Sequence, residues 1–219
     1  MSDSESSAAP YAFTESLALC LDLKNPLSYL ALKSAFALVD ELGIVLECLP
    51  FAAAALKAPM PARPDDERGT RHRRLRAEYL ALDIARYAAV QGLVIRGIYR
   101  SPDTSSFAAG LLWLNAKRPD RVRDYLLTVF DGYWRETFDI EAPDAIGRVM
   151  GRLGEDDEAF ASFAGDEAPA ATANLHQQLV AAGVINVPSY VVQGQVFLGR
   201  AHLPMVRWLL AGRRGPPPI

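Results

Sequence analysis

Cysteine is nearly absent. Cys20 and Cys48 are the only two among 219 residues, and both sit inside apolar, strand-like runs. Two isolated thiols build neither a disulfide framework nor a zinc site, so a reduced, cytoplasmic protein is expected. No run approaches the roughly 18 consecutive apolar residues needed to cross a bilayer, and no membrane partner is expected. A basic field is missing too: the net charge is −3, which argues against a nucleic-acid partner. The densest basic stretch, RHRRLR at 71–76, is flanked by acidic residues and reads as the solvated start of a helix. The N-terminal MSDSESSAAP lacks a basic segment leading into an apolar one, so no secretory leader is expected.

Half of the residues are hydrophobic, enough for a substantial core. The run from Leu17 to Leu23 is nearly all apolar, as in a buried parallel strand. A helix is predicted from Pro26 to Leu42, with proline in its first turn and Gly43 at its end. Ile44 to Leu49 reads as a second strand, completing a βαβ unit. Ala58 to Gly69 is a proline-punctuated loop. From about Thr70 to His176 one helical pattern follows another, and only LVIRGIY at 93–99 has strand character. Strands return at Ser189–Val192 and Gln195–Leu198, with Gln193-Gly194 as the hairpin signal. A last helix is predicted over Leu203 to Leu210.

This order predicts an α/β protein with a thioredoxin-like core (βαβ…ββα) and an inserted all-α domain. The core takes residues 15–57 and 178–212, and the insertion takes 58–177. Residues 1–14 are expected to be a disordered tail and 213–219 a flexible one. At the first strand–helix junction, DLKNPLSYLAL from Asp22, free backbone N–H groups and the helix dipole can support reactive or anion-binding chemistry.

Two segments carry a resemblance. LDLKNPLSYLAL resembles the D-F-x-S-P-Y-S-Y-L-A junction of DsbA-like thioredoxin-fold proteins. The branch is that of 2-hydroxychromene-2-carboxylate isomerase and the kappa-class glutathione transferases. Asp22, Pro26, Ser28, Tyr29, Leu30 and Ala31 match it. The closing AAGVINVPSYVVQGQVFLGRAHLPMVRWLL is similar to that branch's last segment, with Val187, Pro188, Gly199, Pro204 and Met205 among the matches. The resemblance spans roughly residues 15–212.

The resemblance implies glutathione, or another low-molecular-weight thiol, lying along a cis-proline segment, here Val187-Pro188. It places Lys24, Pro26, Ser28, Val187, Pro188, Arg200, Ala201 and His202 around that thiol. The branch's catalytic serine falls on Asn25, whose side-chain NH₂ can donate to a thiolate or whose oxygen can cap the helix. The acidic residue that would meet the glutathione amine falls on Ala201, between Arg200 and His202. The positions of a Cys-x-x-Cys pair hold Asn25 and Ser28, so protein disulfide exchange is not expected.

The implied function is a glutathione-dependent isomerase or transferase, a homodimer acting on an aromatic or polyketide-like small molecule. Tyr133 and Trp134, or Tyr87 and Trp113, are candidate aromatic walls. The alternative is a non-catalytic relative that binds a small molecule or a protein partner.

Overall fold

The computed structural model describes residues 9–218. In chain order the elements are β1 (Leu17–Leu21), α1 (Pro26–Leu42), β2 (Leu46–Pro50), α2 (Arg68–Gln91), α3 (Ser105–Lys117) and α4 (Val122–Trp134). They continue with α5 (Ala145–Arg152), α6 (Asp157–Asp166), α7 (Ala168–Ala181), β3 (Ser189–Val192), β4 (Gln195–Leu198) and α8 (Leu203–Leu210). Single 3₁₀ turns, Pro119–Arg121 and Arg200–His202, precede α4 and α8.

The sheet runs β2-β1-β3-β4, with β1 and β2 parallel and the other pairs antiparallel. With helices on both faces this is the expected thioredoxin-like α/β core. All five residues of β1 are buried, and their alternation divides the core. Leu17, Leu19 and Leu21 face the cluster shared with α1, α4 and α8. Ala18 and Cys20 face Leu175 and Leu179 of α7. Both central residues of the β3–β4 hairpin, Gln193 and Gly194, have positive φ, the geometry that matches strand twist in a two-residue turn.

Four outcomes differ from the sequence reading. The 93–99 stretch forms no strand. Its Arg96 N–H donates to Trp134 O at 3.0 Å, and Leu93, Ile95 and Ile98 pack as a loop against the core. Apolar content alone cannot supply the neighbouring strand that a ladder needs. The expected boundary at 177 falls inside α7, whose packing on β1 joins it to the sheet. Part of the expected N-terminal tail is ordered: Tyr11 Oη donates to Glu47 Oε1 at 2.7 Å, and Phe13 packs beside it. Residues 1–8 of that tail lie outside the described residues. At the other end, Trp208 Nε1 donates to Gly215 O at 3.1 Å, which ties down the start of the segment expected to be flexible. Ile219 lies outside the described residues.

Candidate functional site

The β1–α1 junction is built on buried polar groups. Asp22 is 2% exposed and its carboxylate organises the chain around it. Oδ2 accepts from Ala53 N at 2.8 Å, beyond β2, and Oδ1 accepts from Thr104 Oγ1 at 3.0 Å, ahead of α3. Lys24 Nζ lies 3.5 Å from Oδ2. One carboxylate therefore joins the sheet, the junction and the helical insertion. Lys24 spends its charge on that carboxylate.

Asn25 is 4% exposed and works in both directions. Its Oδ1 accepts from Leu27 N at 2.9 Å, which caps α1. Its Nδ2 donates to Val187 O at 3.3 Å, across 162 positions of sequence. The Val187-Pro188 peptide bond is cis, as the resemblance implied, and the two segments meet through this amide. The first turn of α1 keeps no free backbone N–H. Pro26 has none, Leu27 is capped, and Ser28 N donates to Asn25 O at 3.0 Å. The expectation of free backbone donors at this helix start is thereby overturned. One Nδ2 hydrogen of Asn25 goes to Val187, and an amide nitrogen carries two.

The backbone of Val187 is occupied on both sides. While its carbonyl accepts from Asn25, its N–H donates to the side-chain Oδ1 of Asn186 at 2.8 Å. Asn186 is exposed, so its amide can rotate into solvent without disturbing the core. Nothing in the sequence reading singled out Asn186; the only signal is an amide side chain directly before the Val-Pro pair.

The other expected site residues divide. Ser28 is fully buried and its Oγ accepts from Asp22 N at 3.3 Å, so it supports the junction from inside and faces no ligand. Pro26 is buried in the first turn of α1. Arg200 is committed elsewhere: it forms a salt bridge with Asp83 of α2, and its guanidinium lies 3.4 Å from the centre of the Tyr87 ring. Ala201 and His202 are exposed on the turn before α8, and among the described residues no hydrogen bond joins them to Asn25. Of the aromatic candidates, Tyr133, Trp134 and Trp113 are core residues, and only Tyr87 is exposed.

Burial pushes the Cys20 thiol up to about 12 and raises Cys48 as well. Both are free, and in the β1–β2 register Cys20 faces Leu49 while Cys48 faces Leu19. Protonated, buried thiols of this kind are inert. Among the described residues no cysteine pair is present, and no group of His, Cys, Asp and Glu could hold a metal ion.

The family described as DSBA-like thioredoxin domain matches residues 22–211, and the chain belongs to it. No curated protein matches the chain. Among solved structures it is similar to a 2-hydroxychromene-2-carboxylate isomerase, at 19% identity and a TM-score of 0.67, covering 90% of this chain and 94% of that one. It is also similar to the cytosolic disulfide reductase DsbM from Pseudomonas aeruginosa solved with GSH. That match has 18% identity and a TM-score of 0.59, over 90% of this chain and 98% of the other. At these identities the likeness concerns the fold.

Proposed function

We propose that this member of the DSBA-like thioredoxin family is a glutathione-dependent isomerase or transferase acting on a small aromatic or polyketide-like molecule. The observation that carries the reading is the Asn25–Val187 bridge. It brings the junction and the cis-proline segment together at a side chain with one amide hydrogen left to give. The isomerase and the GSH-bearing DsbM among the structural neighbours support the same reading.

The residues fit the tripeptide after one displacement. Val187 offers a backbone N–H for strand-like pairing once Asn186 swings out. Asn25 then holds the sulfur through its second N–H, and the cap on Leu27 fixes the orientation of that amide. Asp22 and Thr104 keep the junction and α3 in register. Glutathione held there would supply a thiolate nucleophile for reversible addition to an unsaturated carbonyl. Lys24, next to Asn25 in sequence, is paired with Asp22 and is not free to stabilise that thiolate. The donor count therefore points to modest thiol affinity.

A second reading, a non-catalytic binder of a small molecule or a protein, is favoured by one observation. Both backbone groups of Val187 are already satisfied by this chain's own asparagines. Calorimetric titration with reduced glutathione, followed by a chromene-carboxylate isomerisation assay with and without it, separates the two. Saturable binding with glutathione-dependent turnover supports the enzyme. Binding without turnover, or no binding, supports the second reading.

A cytoplasmic homodimer completes the proposal. Among the described residues no helix is long and apolar enough to cross a membrane. Leu75, Tyr79, Leu82 and Val90 follow one stripe of α2 and are exposed by 58%, 62%, 57% and 86%, a face suited to a second copy of the chain. Light scattering tests this: twice the chain mass is expected, and monomer mass at assay concentration would remove the dimer.

A further inference from the structure

Helix α2 has 24 residues, a length of about 36 Å, yet only Ile84 and Ala88 are buried. From Arg68 to Asp83 no side chain is buried, so the helix meets the body along a narrow strip. Its other side is open. Arg68, Arg71, Leu75, Tyr79, Leu82 and Arg86 follow at spacings of three or four, ahead of Val90, and all are exposed. At that spacing they form one outward stripe.

The charge of this helix runs against that of the chain. α2 contains six arginines and two acidic residues, whereas the chain has a net charge of −3. Both acids are already paired: Glu78 lies 3.7 Å from Arg74, and Asp83 holds Arg200. Among the described residues no ion pair reaches Arg68, Arg71 or Arg86. The stripe is therefore apolar and cationic at once, with no acid in it. Composition hides this face, because the acidic residues flanking RHRRLR cancel its charge along the chain but not on the stripe.

We propose that this stripe docks the protein on an anionic lipid bilayer. Leu75, Tyr79, Leu82 and Val90 enter the boundary between headgroups and acyl chains. The arginines lay their stems along that apolar surface and meet the lipid phosphates. Anionic lipid thus supplies the missing counter-charge and the apolar depth together. A nucleic acid would neutralise the arginines but leave three aliphatic side chains in water. A second copy covers the apolar side chains but brings the same acid-free stripe, so no arginine gains a counter-charge. The bilayer and the proposed dimer compete for one face. The bilayer inference rests neither on that dimer nor on the glutathione reading.

The test is flotation of the full chain with vesicles of equal parts phosphatidylcholine and phosphatidylglycerol, against vesicles of phosphatidylcholine alone. The protein should float with the anionic vesicles only, and raised salt should release it. Arg68→Gln combined with Arg71→Gln should weaken anionic-vesicle binding by roughly thirtyfold. Both positions are exposed, so the melting temperature should not move. The mass by light scattering should also match the wild type, which separates loss of the bilayer from loss of the dimer. Leu75→Ser combined with Leu82→Ser should abolish flotation while the helix content by circular dichroism is kept. The proposal is overturned by equal flotation with both vesicle types, by flotation with neither, or by wild-type binding in either double variant. An oligonucleotide that binds where the anionic vesicles do not would give the face to nucleic acid and overturn it too.

Discussion

Replacing Asn25 by alanine removes two bonds of different kinds, and their sum can be worked out. The Oδ1 cap on Leu27 N, at 2.9 Å, contributes about 1 kcal/mol. The bridge to Val187 O, at 3.3 Å, is long and weak in itself. Its loss, however, leaves a buried carbonyl unpaired, which costs about 1–3 kcal/mol. Asn25→Ala should therefore lower the unfolding free energy by about 2–4 kcal/mol, or by roughly 5–15 °C in Tm for a chain of this size. Asn25→Ser keeps a capping oxygen but cannot span to Val187, so it should recover about 1 kcal/mol of the loss. Urea unfolding followed by circular dichroism, on wild type and both variants, gives the three values. An alanine variant within about 0.5 kcal/mol of wild type would refute the double role. So would a serine variant no more stable than alanine.

Asn186→Ala should raise glutathione affinity by roughly three- to tenfold, because it removes one competing hydrogen bond from Val187 N; calorimetry reads this directly, and an unchanged or lower affinity contradicts it. Asp22→Ala should destabilise the chain by about 3–5 kcal/mol, since Ala53 N, Thr104 Oγ1 and the Lys24 charge lose their common partner, as measured by chemical denaturation. Arg200→Ala should speed amide hydrogen exchange in α2 around Asp83 and Tyr87, with a stability cost of only about 1 kcal/mol because the pair is partly exposed. The folded protein should not react with a disulfide reagent at pH 8, because burial keeps Cys20 protonated up to about 12 and raises Cys48 too; the thiolate is populated only above those values, and both thiols should react once urea unfolds the chain.

Local rules made much of the fold legible. An all-apolar β1, the proline and Gly43 that bound α1, and the Gln193-Gly194 turn each act within a few residues, and each stands where it was expected. The stretch 93–99 misled because a run of Leu, Val and Ile is equally at home in a packed loop; only the position of Trp134 O decides it. The site was legible in part. Asn25, Val187 and Pro188 do come together, but the bond between them joins positions 162 apart, and nothing local encodes which amide atom faces which. Arg200 illustrates the same limit. Its positive charge was plain, yet its partner Asp83 is 117 positions away, so the sequence could not show that the charge was already spent. Ser28 matched a motif and proved to be an internal brace, because its place one turn into α1 directs it at Asp22 N.

The proton balance of glutathione binding tests the central claim most directly. A free thiol with a pKa near ~8.5 is largely protonated at pH 7, so a site that holds the thiolate must release a proton as it fills. Calorimetric titration with reduced glutathione at pH 7, repeated in buffers of different ionisation enthalpy, counts that proton. Thiolate capture at Asn25 predicts saturable binding with release approaching one proton per site, and Asn25→Ala should abolish the release. No saturable heat at millimolar glutathione, or binding with no proton released, would contradict it.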